Sequence, residues 1–310
     1  MFRNTRSAPA LMAALLLTLT ACGDSSAEEA SSEPSASESA QFPVTVEGAN
    51  GEVTLDEQPD AIVSLSATST EMLFAIGAGD QVKAVDDTSN YPEDAPVTDL
   101  SAFTPNAEAI AGYDPDLVIL SNDLNGIVDA LDALSVPTLL LEAAGTVDDT
   151  YAQLELLGDA TGHAEEADEV IADVQDRIEA AVESVPDDVE GMKVYHELDP
   201  SFFSADSSTF IGSIYSMFGL ENIADEAGAA AGGYPQLSAE YIVSEAPGLI
   251  VLADTKCCEQ SAETVAQRPA FDTVPAVKED RVLEADDDIA SRWGPRIADF
   301  AEAVADALQH

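Results

Sequence analysis

Two glutamates occupy equivalent positions in a stretch that is repeated within this 310-residue chain. Residues 106–120 and 238–252 are identical at six of fifteen positions, and Glu108 and Glu240 each precede a proline by seven residues. Each copy predicts a short helix with Glu in its first turn, then a break, then a buried strand. The helix dipole stabilises a carboxylate at such a position. The repeat therefore predicts two similar lobes, each presenting one carboxylate.

Other residues with chemical potential are few and are not arranged for catalysis. The histidines His163, His196 and His310 show no metal-ligand spacing, and the nucleophile-elbow, Walker and zinc-protease motifs do not occur. We therefore predict a protein that is not an enzyme and that offers no metal site of its own. The alternative from another functional class, the enzymes, is an extracytoplasmic hydrolase that uses Ser69, His196 and a carboxylate. The missing G-x-S-x-G sequence counts against that alternative.

The charge of the chain is strongly negative. Sixty acidic residues against eleven basic ones give a formal net charge of −49. Nucleic-acid binding requires a basic surface, so we predict no nucleic-acid partner. Anionic lipid would also repel this surface, and membrane association therefore requires an anchor.

The N-terminal residues supply a candidate anchor. A basic start and the apolar run 11–19 lead to Leu-Thr-Ala-Cys, which ends at Cys22 and is typical of a bacterial lipoprotein signal. We predict a signal peptide over 1–21, acylation of Cys22, and an unstructured Ser/Glu-rich tether over 22–41. The chain would then be extracytoplasmic and attached to the cell membrane by lipid. An ordinary secretory signal with an incidental cysteine is the alternative.

Alternating strands and helices organise the first part of the mature chain, residues 42–147. The alternation over 42–55 predicts a hairpin at a sheet edge. A buried strand over 61–65 and a helix over 71–76, ended by Gly77, begin a strand–helix series. Such a series is typical of a parallel sheet with helices on its faces.

A helical region, residues 148–188, separates this part from a second strand–helix series over 189–310. Its main helix, predicted over 163–185, carries apolar residues at three- and four-residue intervals and would extend roughly 34 Å. The predicted fold class is therefore α/β, with two Rossmann-like lobes joined by a single long rigid helix.

Several segments together resemble the solute-binding proteins of ABC importers, in the class that carries cobalamin, ferric siderophores or haem. The resemblance covers about residues 53–308. It rests on five segments: Ile62–Gly77, Asn90-Tyr91-Pro92, residues 106–120, Tyr234–Glu240 and Gly294-Pro295-Arg296.

The resemblance implies two α/β lobes with a ligand cleft between them. It also implies that Glu108 and Glu240 dock onto arginines of a permease dimer, which works with ATPase subunits. The receptor itself is expected to be a monomer. Its ligand would be a small-molecule metal chelate, and no cofactor other than the lipid would be covalently bound.

Six ligand-binding positions follow from the resemblance to cobalamin-binding members. They are Tyr91, Phe103, Phe203, Tyr234, Arg292 and Trp293. Aromatic rings suit the flat faces of a chelate, and an arginine suits an anionic or amide group. The turn that contains Trp293 favours exposure to the cleft. A neutral corrinoid is the leading ligand, and a ferric siderophore or haem is the alternative.

Two further interpretations stay open. Adjacent Cys257 and Cys258, just after a predicted strand, could form a vicinal disulfide near the cleft rim. The chain could also be a structural or signalling lipoprotein that kept the fold and lost the ligand.

Overall fold

The computed structural model describes residues 42–227 and 231–309. The predicted signal peptide 1–21, the lipidation site Cys22 and the tether up to residue 41 lie outside the described residues. Among the described helices, none combines the length and the apolar character that crossing a membrane requires.

The first lobe is a parallel sheet preceded by a hairpin. In chain order its elements are β1 (Val44–Gly48), β2 (Gly51–Leu55), β3 (Ile62–Leu65), α1 (Ala67–Ala75), β4 (Val82–Val85), α2 (Ala107–Ala111), β5 (Leu117–Leu120), α3 (Ile127–Asp132) and β6 (Thr138–Leu140). The sheet order is β4-β3-β5-β6, and all its pairs are parallel. Helix α1 begins at Ala67, earlier than predicted, because the Ser66 side chain caps it by accepting a hydrogen bond from the amide of Ser69.

The hairpin β1–β2 forms a sheet of its own instead of extending the parallel sheet. Its turn nevertheless lies at the edge of that sheet. The Asn50 side chain donates to the carbonyl of Thr138 (2.8 Å) and accepts from the amide of Leu140 (2.9 Å). The Asn50 side chain, together with the Ala49 amide that donates to the Leu140 carbonyl at 2.8 Å, thus satisfies backbone groups of the edge strand β6.

Two helices, α4 (Val147–Thr161) and α5 (Ala164–Ser184), connect the lobes. They pack closely at Gly158 of α4, where an added Cβ would lie only 2.6 Å from the Cβ of Ala167 in α5. Residues Ala167 and Ile171 of α5 belong to a core cluster of the first lobe, whereas Val174 and Ile178 belong to one of the second. Helix α5 thus spans both cores. Its rigidity, and its role as a single strut, stay predictions.

The second lobe repeats the topology of the first. Its elements are β7 (Lys193–Glu197), α6 (Phe210–Met217), β8 (Glu221–Asn222), α7 (Ala239–Glu245), β9 (Leu249–Leu252), α8 (Thr255–Cys258), α9 (Ala262–Ala266), α10 (Pro275–Lys278), β10 (Val282–Glu284), α11 (Asp287–Ser291) and α12 (Ile297–Leu308). The sheet order is β10-β9-β7-β8, again with parallel pairs. In each sheet the lobe's second strand (β4 or β8) lies at the edge and pairs with its first strand (β3 or β7). The third strand (β5 or β9) pairs with the other side of the first. The predicted two-lobed α/β fold is confirmed.

Candidate functional site

Exposed aromatic rings of the first lobe lie in and just after the loop that follows β4. Pairing of Asp86 with Leu100 closes this loop, which carries Tyr91, and Phe103 follows the pairing. Tyr91 is 44% exposed and Phe103 is 67% exposed. Because the loop follows the carboxyl end of a parallel strand, it lies at the edge where α/β proteins bind ligands.

The second lobe presents two more aromatic rings on a pair of loops at the carboxyl end of its sheet. The amide of Ser204 donates to the carbonyl of Pro235, and the amide of Leu237 donates to that of Phe202, each at 2.9 Å. This antiparallel pairing brings Phe203 and Tyr234 onto one loop pair, where they are 38% and 48% exposed. Rings left partly in water offer apolar faces to a flat ligand.

Arg292, a predicted ligand contact, makes several hydrogen bonds within the protein. Its side chain is only 10% exposed and donates to Glu71 Oε1 (2.8 Å), Asn90 Oδ1 (2.9 Å), the Thr88 carbonyl (3.0 Å) and Asp288 Oδ1 (2.9 Å). Three of these four acceptors belong to the first lobe. The geometry gives Arg292 an interlobe role and leaves few of its donor groups for a ligand.

Glu71 is the centre of this interlobe contact. Its side chain is 2% exposed, and Arg296 reaches it with Nε to Oε2 at 2.8 Å and Nη2 to Oε1 at 2.6 Å. The Arg296 guanidinium also lies 4.1 Å from the centre of the Tyr91 ring, so one face of that ring is covered. Glu71, Tyr91 and Arg296 line a groove of about 740 Å³ beside α5. We call Glu71, Arg292 and Arg296 the interlobe clasp.

Trp293 is less exposed than its turn suggested. The side chain packs against core clusters of both lobes, and its indole N–H donates to Gln153 Oε1 at 3.0 Å. Its carbonyl accepts a hydrogen bond from the Thr150 hydroxyl at 2.9 Å. These contacts hold Trp293 against both lobes and against α4.

The two repeated glutamates occupy matching places, as the repeat predicted. Glu108 and Glu240 are exposed residues in the first turns of α2 and α7. The helices begin at Asn106 and Ser238, whose side chains accept from backbone amides at 2.9 and 3.2 Å. Within residues 42–227 and 231–309, neither glutamate side chain takes part in a hydrogen bond or ion pair. Both carboxylates are thus accessible to a partner.

The residues of the hydrolase alternative are not assembled. Ser69 is 2% exposed in α1 of the first lobe, whereas His196 is fully buried in β7 of the second. His196 Nδ1 lies 2.7 Å from the Tyr215 hydroxyl, and burial lowers the pKa of the imidazole to about 4. A histidine held neutral inside the core has a structural role.

A buried acidic cluster lies below the second-lobe loops, and its pairing of Glu197 with Asp254 was not predicted from the sequence. Glu197 is fully buried and accepts two hydrogen bonds from Arg268, at 2.6 and 2.5 Å, and one from the Tyr195 hydroxyl at 3.0 Å. Asp254 is also fully buried, and its carboxylate oxygens receive no hydrogen bond from a donor among the described residues. Burial, and then the neighbouring Glu197, raise the pKa of Asp254 to about 7. The sequence signals were an acidic residue at or just after the end of each of two strands, Glu197 in β7 and Asp254 after β9.

No group of three or more His, Cys, Asp or Glu side chains suited to holding a metal ion occurs in the described part of the chain. The ligand-binding roles of the six predicted residues, the docking roles of the two glutamates and the acylation of Cys22 stay predictions. The structure groups the four aromatic residues on the loops and places Arg292 and Trp293 in interlobe contacts.

Known proteins resemble this chain over most of its length. A family model for periplasmic binding proteins matches residues 62–289. An uncharacterized ABC transporter substrate-binding lipoprotein of Bacillus subtilis is 29% identical over 311 residues, covering 96% of each chain. A cobalamin-binding protein of Halobacterium salinarum is 29% identical over 316 residues, covering 98% of this chain and 85% of its own. The crystal structure of a periplasmic haem-binding protein of Vibrio cholerae shares the fold, with a TM-score of 0.71 at 21% identity, covering 81% of this chain and 99% of its own.

The matched region runs from the first residue of β3 to α11, so it includes both parallel sheets and the helices between them. The relatives are ligand-binding transport proteins, and the prediction that this chain is not an enzyme is confirmed on that ground. The chain belongs to the periplasmic binding protein family.

Proposed function

We propose that this protein is the extracytoplasmic receptor of an ABC importer, held to the membrane by a lipid on Cys22. It captures a bulky, flat metal chelate, with a corrinoid as the first candidate, and delivers it to the permease. The observation that carries this proposal is the set of four exposed aromatic residues on loops at the carboxyl ends of both sheets: Tyr91, Phe103, Phe203 and Tyr234. Aromatic faces bind a flat macrocycle through apolar contact and stacking.

The charges around these loops favour a ligand without strong negative charge. Protein carboxylates already engage Lys256, Arg268, Arg292 and Arg296. A ferric siderophore rich in carboxylates, or haem with its two propionates, needs cationic partners, and the net charge of −49 repels it. A corrinoid surrounds its ring with neutral amides. The cobalamin-binding relative of Halobacterium salinarum supports the same choice.

Calorimetry of the purified mature protein with cyanocobalamin, haemin and a ferric hydroxamate tests the ligand. We expect cyanocobalamin to bind, and Phe203→Ala and Tyr234→Ala each to weaken its binding roughly 3- to 10-fold through loss of ring contact. Tyr113→Ala is the matched control, because Tyr113 is 40% exposed but precedes β5 at the opposite edge of the sheet. Heat from haemin or the hydroxamate without heat from cyanocobalamin would reject the corrinoid and favour the alternative ligands.

Delivery to the permease is proposed to use Glu108 and Glu240. Two carboxylates on related lobes suit a permease dimer with two-fold symmetry, and each can form a bidentate pair with an arginine. We expect the double variant Glu108→Ala/Glu240→Ala to lose ligand uptake by cells while cyanocobalamin affinity is unchanged. Glu165→Ala, which removes an exposed first-turn glutamate of α5, should leave uptake intact. Unchanged uptake by the double variant, or loss of ligand binding itself, would contradict the docking assignment.

A further inference from the structure

Two adjacent thiols lie at the carboxyl end of β9, in the single helical turn α8. Cys257 is exposed, Cys258 is half-buried, and both are free. The neighbouring Cys258 side chain, and then burial, raise the pKa of Cys257 to about 12. Neither thiol has a role in the proposed capture or docking.

One carboxylate from α11 holds this turn in its helical form. Asp287 accepts hydrogen bonds from the amides of Thr255 (2.8 Å), Lys256 (3.0 Å) and Cys257 (2.9 Å), and from the Thr255 hydroxyl (2.8 Å). Just after Cys258 the backbone leaves the helix at Glu259, which has the left-handed φ of 56°. The turn therefore depends on contacts outside itself.

The geometry of a disulfide conflicts with this helical turn. Adjacent Cα atoms are about 3.8 Å apart across a trans peptide, whereas disulfides usually join Cα atoms about 4.4–6.8 Å apart. A bond between the two sulfurs closes a small ring that includes the connecting peptide, and the backbone of α8 has to change to accommodate it. Strained and exposed disulfides are the readily reduced ones.

We propose that Cys257 and Cys258 form a reversible thiol–disulfide modification site, and that oxidation by a low-molecular-weight disulfide unwinds α8. This goes beyond ligand capture, and the oxidising conditions it needs are supplied by the proposed extracytoplasmic location.

The reaction is two successive exchanges. One of the two cysteines attacks the disulfide as its thiolate and releases one small thiol. The other cysteine then loses its proton and attacks the sulfur of the first in the mixed disulfide, releasing the second small thiol. The protein gives up two protons and two electrons, and the oxidant takes them up to become two thiols.

Unwinding would reach the contact between the lobes. Lys256 Nζ donates to Asp286 (2.6 Å) and Asp288 (2.9 Å), so α8 is tied to the start of α11. Asp288 also accepts from Asn90 Nδ2 of the first lobe at 3.1 Å. A change in α8 removes the amide donors of Asp287 and displaces Lys256, which weakens this connection.

The test equilibrates the ligand-free protein with mixtures of reduced and oxidised glutathione. The exchange is then quenched, free thiols are alkylated, the chain is cleaved after Lys256, and the mass of the peptide that begins at Cys257 is measured. We expect the wild-type peptide to lose two hydrogens and to resist alkylation as the mixture becomes oxidising. The variants Cys257→Ser and Cys258→Ser should only add glutathione. Hydrogen exchange at the amides of residues 255–257 should accelerate on the order of tenfold in the oxidised wild type and stay unchanged in the double serine variant.

Two results would overturn the proposal. A wild-type peptide that stays reduced, or that only adds glutathione like the single variants, rules out the disulfide. A disulfide that forms without faster exchange at residues 255–257 rules out the unwinding of α8. Neither readout uses a ligand, so both are independent of whether cyanocobalamin binds.

Discussion

Removing the charge of Glu71 is the most direct test of how the two lobes are held together. This carboxylate belongs to α1 of the first lobe, and Arg292 and Arg296 follow α11 in the second. The substitution Glu71→Gln keeps the volume and one acceptor oxygen. It leaves two guanidinium groups, 10% and 17% exposed, without their shared counter-charge.

The expected cost follows from the burial of the interlobe clasp. Removing one partner of a buried ion pair destabilises a protein by about 3–5 kcal/mol, since the remaining charge stays desolvated. Because Gln still accepts one hydrogen bond, we expect the lower end, about 3 kcal/mol. For chains of this size 1 kcal/mol corresponds to roughly 2–4 °C in Tm, so Tm should fall by about 6–12 °C.

Thermal unfolding followed by calorimetry, with urea unfolding as a second measurement, provides the assay. Glu169→Gln is the matched control, since Glu169 lines the same groove but is exposed on α5, and its change should stay within about 0.5 kcal/mol. In the double variant Glu71→Gln/Arg296→Gln the two costs should be less than additive, because one unpaired charge is then removed. A fall in Tm of less than about 2 °C for Glu71→Gln would show that the clasp contributes little, which would refute the reasoning.

Two further predictions concern the buried acid and the helix contact. Asp254 has a pKa raised to about 7, above its value in the unfolded chain, so its destabilising effect is absent below pH ~4, grows towards pH 7 and is constant above. Asp254→Asn should therefore increase the free energy of unfolding, measured in urea, by about 2–4 kcal/mol at pH 7.5 and change it little at pH ~4. An equal increase at both pH values would contradict this. Gly158→Ala should destabilise by about 1–3 kcal/mol in urea, because the new methyl meets Ala167, whereas Gly145→Ala has only one neighbour, at 3.5 Å, and should be near neutral; equal effects would refute the close packing of α4 on α5.

Repeated local patterns predicted the fold well. The stretches 106–120 and 238–252 each contain their own cap, first-turn glutamate, helix break and apolar strand, so neighbouring residues alone determine the local structure. Strands β5 and β9 are buried along their whole length, as their uninterrupted apolar runs indicated. The accessible positions of Glu108 and Glu240 followed from the same pattern.

Contacts between distant residues were beyond this kind of inference. Arg292 and its partner Glu71 are 221 residues apart, and no local pattern indicates that they meet. The same holds for Asp254, whose raised pKa depends on burial against Glu197. Motif position placed Arg292 beside the cleft, but whether its donors face a ligand or the other lobe depends on the packing of both lobes.

The interlobe contacts and the exposed aromatic rings involve largely different residues, and this limits the positions that can determine ligand specificity. Arg292 and Arg296 pair with Glu71, so a ligand that engaged both arginines would leave Glu71 buried and unpaired. A ligand that engaged Trp293 would have to replace its contacts with both lobes and with Gln153.

Phe103, Phe203 and Tyr234 take no part in the clasp and are partly exposed, whereas Tyr91 lies against the Arg296 guanidinium. Substitutions at Phe103, Phe203 and Tyr234 should therefore change which chelate binds without large effects on stability, whereas substitutions in the clasp should change stability first. A clasp variant with normal stability and altered ligand choice would show that the two roles are not separate.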